Sequence, residues 1–353
     1  MNKPLRLDRL EIEPVLESVL LQHGFSKERA PLCARLFVET SLDGVYSHGL
    51  NRFPQFIDAV SKGTVKPGHE PTLVRSLNNF ESWDGNLGPG NLNAWACMDR
   101  TVRLARESGM GAVSLRNTNH WMRGGTYGLQ AARAGCLGIC MTNTKPNMPP
   151  WGGRETRVGN NPFVISLPKE PYPVLLDMAM SQFSYGKMEV FEQHGEKLPF
   201  AGGFDKEFQL TDEPAAILES ELALPMGYWK GSGLAMLIDL IVAVLSGGQT
   251  TSDIGQQEEE YGVSQLFIAF DLQQISDDEN RERVIQQVTR SVAEAMAMEP
   301  GGTVSYPGQQ TWARRQENER NGIPVDHATW DAIMALQNQA AGVPNGKDGL
   351  KND

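Results

Sequence analysis

The segment Val45-Tyr-Ser-His-Gly-Leu-Asn-Arg-Phe-Pro54 places an imidazole, a hydroxyl and a guanidinium within one short stretch of chain. Histidine has an unperturbed pKa near neutrality, so His48 is suited to giving and taking a proton during a reaction. The planar guanidinium of Arg52 is suited to holding a carboxylate, because it donates two parallel hydrogen bonds. The pair predicts an enzyme that holds a small 2-oxo acid by its carboxylate and protonates the neighbouring carbonyl oxygen.

A second segment, Arg116-Asn-Thr-Asn-His-Trp-Met-Arg-Gly-Gly125, repeats the combination of histidine, arginine, amide and glycine. It follows a predicted buried strand, so His120 and Arg123 are expected just beyond a strand end. Asp177 also stands at the end of a predicted strand, and the carboxyl ends of strands are where α/β sheets bind ligands. These side chains are expected to share a cleft with His48. A capping role for His48 and a hydrogen-bonded loop around His120 are the structural alternatives.

The composition narrows the class of protein. The 353 residues include 32 Lys and Arg against 43 Asp and Glu, and the net charge of −11 argues against general nucleic-acid binding. The first residues lack the apolar core of a secretory signal, and the longest apolar run, 234–245, is interrupted by Asp239 and is too short for a bilayer. The four cysteines form no C-x-x-C pair, so reduced thiols in the cytoplasm are expected. No H-x-x-H spacing occurs, and no metal is expected.

The glycine-rich loops that usually bind nucleotide cofactors are not found in this sequence. Gly109-Met-Gly111 follows a predicted helix and lacks the third glycine of the dinucleotide-binding pattern. In Gly227-Tyr-Trp-Lys-Gly-Ser-Gly233 the lysine precedes the Gly-Ser pair, which excludes a P-loop. Lys230 nevertheless stands at the start of a helix, where backbone N–H groups favour anions. An anion site and a closely packed helix start both remain open.

The pattern of apolar residues changes near residue 72 and again near residue 303. Helical spacing dominates at both ends, and short strands alternate with helices between them. This order predicts an α/β fold with a central mixed sheet and a helical layer made from both termini. The expected regions are 1–72, helical and carrying His48; 73–303, the α/β body that binds the cofactor; 304–340, a helical segment packed on the first region; and 341–353, a disordered tail.

Three helix predictions are specific enough to be checked. Pro14 suits the first turn of a helix, so the first helix is expected to begin there. The segment 230–245 is almost wholly apolar, which predicts a central helix. The last helical stretch is expected to run from residue 309 to residue 336.

Together and in this order, the motifs resemble the malate/L-lactate dehydrogenase family that lacks a Rossmann fold. The resemblance extends from about residue 10 to residue 336. Several long matches are far more specific together than any one short motif. The matching segments are 44–54, 115–125, 148–152, 183–186 and 224–233.

The resemblance implies a cytoplasmic homodimer that uses NADH, or alternatively NADPH, to reduce a small anionic 2-oxo acid derived from a sugar. It implies neither a nucleic-acid nor a membrane partner. His48 would be the proton donor, and Ser47, Arg52, His120 and Arg123 would line the substrate cleft. Asp177 is a candidate for a charge near the imidazole or the cofactor ribose. The family's cofactor contacts fall on Pro173, Val174, Leu175, Leu176, Asp177, Met178, Ala179, Trp229, Lys230, Gly308, Gln309 and Gln310.

The sequence departs from the family pattern at two places. Gln309 and Gln310 stand where relatives tend to carry His and Glu, so the choice between NADH and NADPH stays open. Thr144-Lys-Pro-Asn147 replaces a more apolar stretch and leaves the exact substrate open. Malate, lactate, ureidoglycolate and a cyclic imino acid are the alternative substrates. A ligand-binding protein without turnover is the alternative from another class.

Overall fold

The computed structural model describes residues 3–341, and it describes side chains as far as residue 338. Two 3-10 turns, Tyr46–His48 and Leu50–Arg52, lie between the second and third helices. The strands are β1 (Leu5–Leu7), β2 (Thr72–Leu77), β3 (Phe80–Asp84), β4 (Met110–Thr118), β5 (Cys136–Thr142), β6 (Phe163–Leu167), β7 (Val174–Met178), β8 (Gly203–Phe204), β9 (Leu210–Thr211), β10 (Leu222–Ala223), β11 (Val263–Asp271) and β12 (Ile323–Val325). The helices are α1 (Arg9–Gln22), α2 (Ala30–Leu42), α3 (Phe53–Ser61), α4 (Gly90–Ser108), α5 (Gly125–Arg133), α6 (Tyr185–His194), α7 (Pro214–Ser220), α8 (Trp229–Ser246), α9 (Thr251–Ile254), α10 (Leu272–Ile275), α11 (Asp278–Ala293), α12 (Gln309–Asn321) and α13 (His327–Ala341).

A seven-stranded mixed sheet forms the centre of the body, in the order β2-β3-β4-β11-β5-β6-β7. The β3 and β4 strands run parallel, and the other neighbours run antiparallel. The middle strand, β11, is buried along most of its length, as expected for a strand covered on both faces. A smaller sheet, β10-β8-β9, packs against α7, which in turn packs against α6. The predicted α/β fold with a central mixed sheet is confirmed.

The two ends of the described chain meet in one helical layer. The β1 strand pairs antiparallel with β12, with Leu5 opposite Val325. The α1 helix packs against both α2 and α13. Ile12, Phe37 and Ile333 are buried together in the core of this layer. The predicted layer made from both termini is confirmed.

The first helix begins earlier than the sequence predicts. Helix α1 starts at Arg9, and Pro14 lies inside it. Asp8 and Glu11 form a capping box, in which each side chain accepts a backbone N–H at 2.8 Å. These two hydrogen bonds fix the start of the helix and outweigh the preference of proline for the first turn.

The predicted helix 309–336 is also different, because β12 divides it into α12 and α13. Gly322 adopts a φ of 79°, and Pro324 has no backbone N–H to donate, so the helix cannot continue through them. The predicted disordered tail, 341–353, lies outside the described residues except for Ala341, which ends α13.

Helix α8 covers one face of the sheet and is long and apolar enough, by length and composition alone, to cross a membrane. Its inner side packs on β4, β5 and β11. The Asp239 carboxylate accepts hydrogen bonds of 2.8 Å from Asn143 Nδ2 and from the backbone N–H of Thr251. The prediction of a central helix is wrong for the outer side, where large apolar side chains are exposed. They are Trp229, Met236, Leu237, Leu240, Ile241, Val244 and Leu245.

Candidate active site

The segment 45–54 leaves α2 and forms the two 3-10 turns, which end at His48 and Arg52. Gly49 joins the turns and packs against the last turn of α2. A methyl group added at Gly49 would lie only 2.9 Å from the backbone nitrogen of Ser41. Only glycine allows this approach, so the local sequence fixes where His48 stands.

The imidazole rings of His48 and His120 are stacked, with their centroids 5.9 Å apart and their planes inclined by 22°. The hydroxyl oxygen of Ser47 lies 2.9 Å from Nδ1 of His48. The backbone N–H of Met122 donates to Nδ1 of His120 at 3.1 Å, so a neutral His120 carries its proton on Nε2. Within residues 3–338, Nε2 of each ring has no hydrogen-bond partner and is therefore available to a substrate.

Burial lowers the pKa of His48 below its ordinary value. The carboxylate of Asp177 opposes this effect, and the positive charges of Arg52 and Arg123 add to it. Burial lowers the pKa of His120 still more strongly, and Arg52 and His48 add to that effect. Both rings are therefore neutral at neutral pH when no anion is bound. A bound anion favours the protonated form of His48, so substrate binding and proton uptake are coupled.

Arg52 is a cation whose donors are not used by the protein. Among the described residues the guanidinium of Arg52 has neither a hydrogen-bond partner nor an ion pair. Burial lowers the pKa of Arg52, and the carboxylates of Glu260 and Glu189 oppose that effect. An unpaired, partly buried guanidinium beside two imidazoles is suited to binding a small carboxylate.

Arg123, which the sequence predicts to line the substrate cleft, is buried in the structure. It is only 4% exposed, and its guanidinium pairs with the carboxylate of Asp43. Asp43 also accepts hydrogen bonds from the Tyr172 hydroxyl at 3.0 Å and from Arg315 at 2.8 Å. The Nε atom of Arg123 lies 3.9 Å from the carboxylate of Asp177 and has no hydrogen-bond partner among the described residues. The guanidinium of Arg123 therefore pairs with Asp43 and also places a positive charge near the Asp177 carboxylate.

Asp177 lies one residue before the end of β7, close to the strand end where the sequence places it. Its carboxylate accepts the backbone N–H of Gly125, the first residue of α5, at 2.7 Å. A helix N-terminus favours a neighbouring negative charge, and this contact ties Asp177 on β7 to the start of α5. Since Asp177 also acts on the pKa of His48, the structure brings β7 and the two 3-10 turns to one site.

The three segments expected to contact a nicotinamide cofactor come from β7 and from the starts of α8 and α12. The backbone N–H of Leu175 donates to the carbonyl of Pro307 at 3.2 Å, which puts 308–310 beside β7. The N–H of Met226 donates to the carbonyl of Met180 at 2.7 Å, which ties the approach to α8 to the residues just after β7. The segment 308–310 and the approach to α8 are therefore held beside β7 and the residues just after it.

The side chains around these segments fit a nicotinamide cofactor. The Ser181 hydroxyl is buried just beyond β7 without a hydrogen-bond partner among the described residues, so it offers an unused polar contact. Trp229 is 65% exposed and presents a flat aromatic surface. The ammonium of Lys230 lies 6.0 Å from the centroid of that ring, where its charge can meet a phosphate. β7 together with the first turns of α8 and α12 would hold the cofactor.

The family model for malate/L-lactate dehydrogenase matches residues 7–334. The chain belongs to the malate/L-lactate dehydrogenase family. It is 44% identical over 327 residues to the 2,3-diketo-L-gulonate reductase of Citrobacter koseri, and this match covers 92% of the chain and 98% of that relative. It is 43% identical, with the same coverage, to the protein of that name in Escherichia coli strain K12. Like these relatives, it is an oxidoreductase.

Solved structures agree with the assignment to the malate/L-lactate dehydrogenase family. The sulfolactate dehydrogenase of Methanocaldococcus jannaschii superposes with a TM-score of 0.85 at 27% identity, covering 96% of this chain and 98% of that one. The malate dehydrogenase of Entamoeba histolytica superposes with a TM-score of 0.91 at 23% identity, covering 98% of this chain and 100% of that one. At that identity the second comparison supports the fold alone.

Sequence reasoning missed several residues of this malate/L-lactate dehydrogenase-family site. Asp43 and Tyr172 gave no signal, because they meet Arg123 only through the folding of distant segments. The position of Glu189 could have been found from the sequence, since it lies one helical turn after Gly186, the last residue of a segment that resembles the family.

Proposed function

We propose that the chain reduces 2,3-diketo-L-gulonate to 3-keto-L-gulonate, with NADH as cofactor and NADPH as the alternative. The observation that carries this proposal is the stacked pair of His48 and His120 beside the unpaired guanidinium of Arg52. That arrangement supplies a proton donor and a carboxylate-binding group, which a 2-oxo acid reductase needs. Relatives 43–44% identical over most of the chain carry the name of this reductase, and they support the choice of substrate.

In the proposed reaction Arg52 binds the substrate carboxylate through two N–H groups. The adjacent ketone then faces Nε2 of His48 and His120. A reduced nicotinamide held by β7 and the first turns of α8 and α12 would supply the hydride to the carbonyl carbon. His48 donates its proton to the carbonyl oxygen, while Nε2–H of His120 stabilises the charge that develops there. Ser47 accepts Nδ1–H of the protonated His48 and so holds the ring in its donating orientation.

The proposed preference for NADH rests on the third cofactor segment. Gln309 and Gln310 are uncharged, and no lysine or arginine stands from residue 303 to residue 313. The extra phosphate of NADPH would meet no positive charge within this segment, whereas a ribose hydroxyl can hydrogen-bond an amide. Assays with both cofactors test this preference.

We also propose a cytoplasmic homodimer in which two copies pair through the outer side of α8. Val244 on this side is 74% exposed and Met236 is 51% exposed. A continuous apolar surface of this kind is unfavourable in water and is typical of an interface. The cytoplasmic location is supported by four buried cysteines, all of them free thiols.

The proposal is tested by following the loss of NADH or NADPH absorbance with a panel of 2-oxo acids. The highest kcat/KM is expected with 2,3-diketo-L-gulonate, compared with pyruvate, oxaloacetate and a cyclic imino acid. A higher kcat/KM with one of the others would replace the substrate and keep the family chemistry. Cofactor binding without turnover of any substrate would instead favour a ligand-binding protein.

A further inference from the structure

Two carboxylates from different elements act electrostatically on the guanidinium of Arg52. Glu189 lies on α6, on the side of the helix that meets the catalytic turn. A methyl group built at Gly186 would lie 3.6 Å from the Ser47 hydroxyl oxygen and 4.0 Å from Oε2 of Glu189. The Glu189 carboxylate therefore lies near the Ser47 end of the catalytic turn, and the residue is exposed.

Glu260 approaches from the loop before β11. Its Oε2 atom accepts the backbone N–H of Lys145 at 3.0 Å. The neighbouring Glu259 pairs with Lys62 at 2.7 Å, which ties the loop to the end of α3. Lys145 belongs to the stretch 144–147, where the sequence departs from its family, so Glu260 lies against a region expected to affect substrate choice.

Among the described residues, neither carboxylate forms an ion pair with Arg52. Among the described residues, Glu189 has no hydrogen bond or ion pair, and Glu260 accepts only the Lys145 N–H. Both still act on Arg52, whose pKa they raise against the effect of burial. A carboxylate accepts hydrogen bonds and donates none. Glu189 and Glu260 therefore attract hydroxyl groups and repel a second negative charge on a substrate.

We propose that Glu189 and Glu260 bind hydroxyl groups on the part of the substrate beyond its reacting ketone, and so favour a polyhydroxylated 2-oxo acid over a 2-oxo diacid. This inference rests on the proposed reductase function and adds its substrate class. Pyruvate has no hydroxyl group to offer the two carboxylates. Oxaloacetate brings a second carboxylate that they repel.

The experiment compares Glu189→Gln and Glu260→Gln with the wild-type enzyme on 2,3-diketo-L-gulonate, pyruvate and oxaloacetate. Each variant is expected to lose roughly 10- to 100-fold in kcat/KM for the diketo acid, because a hydrogen bond to a charged group is weakened. Pyruvate is expected to change by less than about 3-fold, since it makes no such contact. Oxaloacetate is expected to gain in kcat/KM, because a like charge has been removed.

The matched controls are Glu192→Gln, one turn further along α6, and Glu258→Gln, two residues before Glu260. Both are expected to leave all three substrates unchanged. An equal loss on all three substrates in the test variants would overturn the inference, because the two carboxylates would then only orient Arg52. A wild-type enzyme with no activity on the diketo acid would instead refute the proposed substrate and, with it, this inference. Cofactor binding, measured by tryptophan fluorescence, establishes that each variant is folded.

Discussion

The proposed reaction and the surroundings of His48 favour opposite protonation states of its imidazole. The proposed reaction needs the protonated ring, whereas burial and two arginines favour the neutral one. The negative charge of Asp177, and that of a bound substrate, offset this preference. The proton is therefore expected on His48 mainly when the substrate is in place, which limits its loss to water.

Replacing His48 tests its role as proton donor. His48→Asn is expected to lower kcat by about 10²- to 10⁴-fold, which is the usual contribution of a general acid. Cofactor affinity should be unchanged, because the proposed cofactor segments lie on β7, α8 and α12 and do not include His48. Steady-state kinetics and a cofactor titration measure the two quantities. His194→Asn, at the exposed end of α6, is the control, and nearly full activity in His48→Asn would remove the proposed role.

The effect of Asp177 on His48 predicts a shift in the pH profile. Reduction requires protonated His48. The value of kcat/KM is therefore at its maximum below the pKa of His48 and falls as the pH rises through that pKa. Asp177→Asn removes a charge that raises this pKa, so the loss should begin at a lower pH than in the wild-type enzyme. The measurement is kcat/KM for reduction across the pH range. An unchanged midpoint would mean that Asp177 does not act on His48.

At the scale of secondary-structure elements, the contact between α2 and the first 3-10 turn decides where the imidazole stands. Gly49→Ala would force its added methyl group against the backbone of α2. The expected result is a lower kcat/KM together with a lower unfolding temperature, since both elements must shift. Gly68→Ala is the control, because its added methyl group would meet no atom within 4 Å. Wild-type kinetics in Gly49→Ala would show that the turn adjusts freely.

The exposed side of α8 predicts a change in assembly. Val244→Glu places a charge at the most exposed apolar position named on that helix, 74% accessible in one copy of the chain. A dimer that buries this side should dissociate, because an unpaired charge would be enclosed. Sedimentation velocity measures the mass of the wild-type protein and of the Val244→Glu variant. Val284→Glu, at an exposed valine on α11, should leave the mass unchanged; a Val244→Glu protein with the wild-type mass would move the interface elsewhere.

At the scale of the whole molecule, Asp43 connects the helical layer to the α/β body and to α12. Burial works against its carboxylate, but Arg123 and Arg315 outweigh burial and hold the pKa of Asp43 below its ordinary value. Asp43→Asn leaves Arg123 buried without its counter-charge, which is expected to cost about 3–5 kcal/mol of unfolding free energy. Urea unfolding at neutral pH measures this loss, with the surface variant Asp99→Asn as control.

The same pairing predicts a dependence on pH. The folded-state pKa of Asp43 is depressed, so its contribution is present above the unfolded pKa, near 4, and is lost as the pH falls through the folded pKa. The stability difference between wild type and Asp43→Asn should therefore shrink in acid. A difference that stays constant from neutral pH to about pH 3 would contradict the ion-pair explanation.

Short-range sequence patterns predicted most of the fold, whereas features that depend on contacts between distant segments could not be predicted. The central mixed sheet and the helical layer made from both termini were predicted and are present, but the order of the strands in the sheet was not predicted. The start of the first helix was predicted at Pro14, but a capping box a few residues earlier fixes it at Arg9. The prediction that α8 is buried on all sides was wrong, because an apolar run does not reveal which of its sides this chain covers. Asp43 could not be found, since its three partners come from separate regions of the chain.

The pairing of β1 with β12 also has a consequence for how the protein is made. The strand β1 and the helix α1 are synthesised long before β12 and α13, which pair with and pack on them. Until β12 and α13 have been synthesised, Ile12 and its neighbours have no completed core, and the nascent chain exposes their apolar surface. The helical layer is thus expected to form only after α13 has left the ribosome, and the growing chain to be a substrate for chaperones that bind exposed apolar segments.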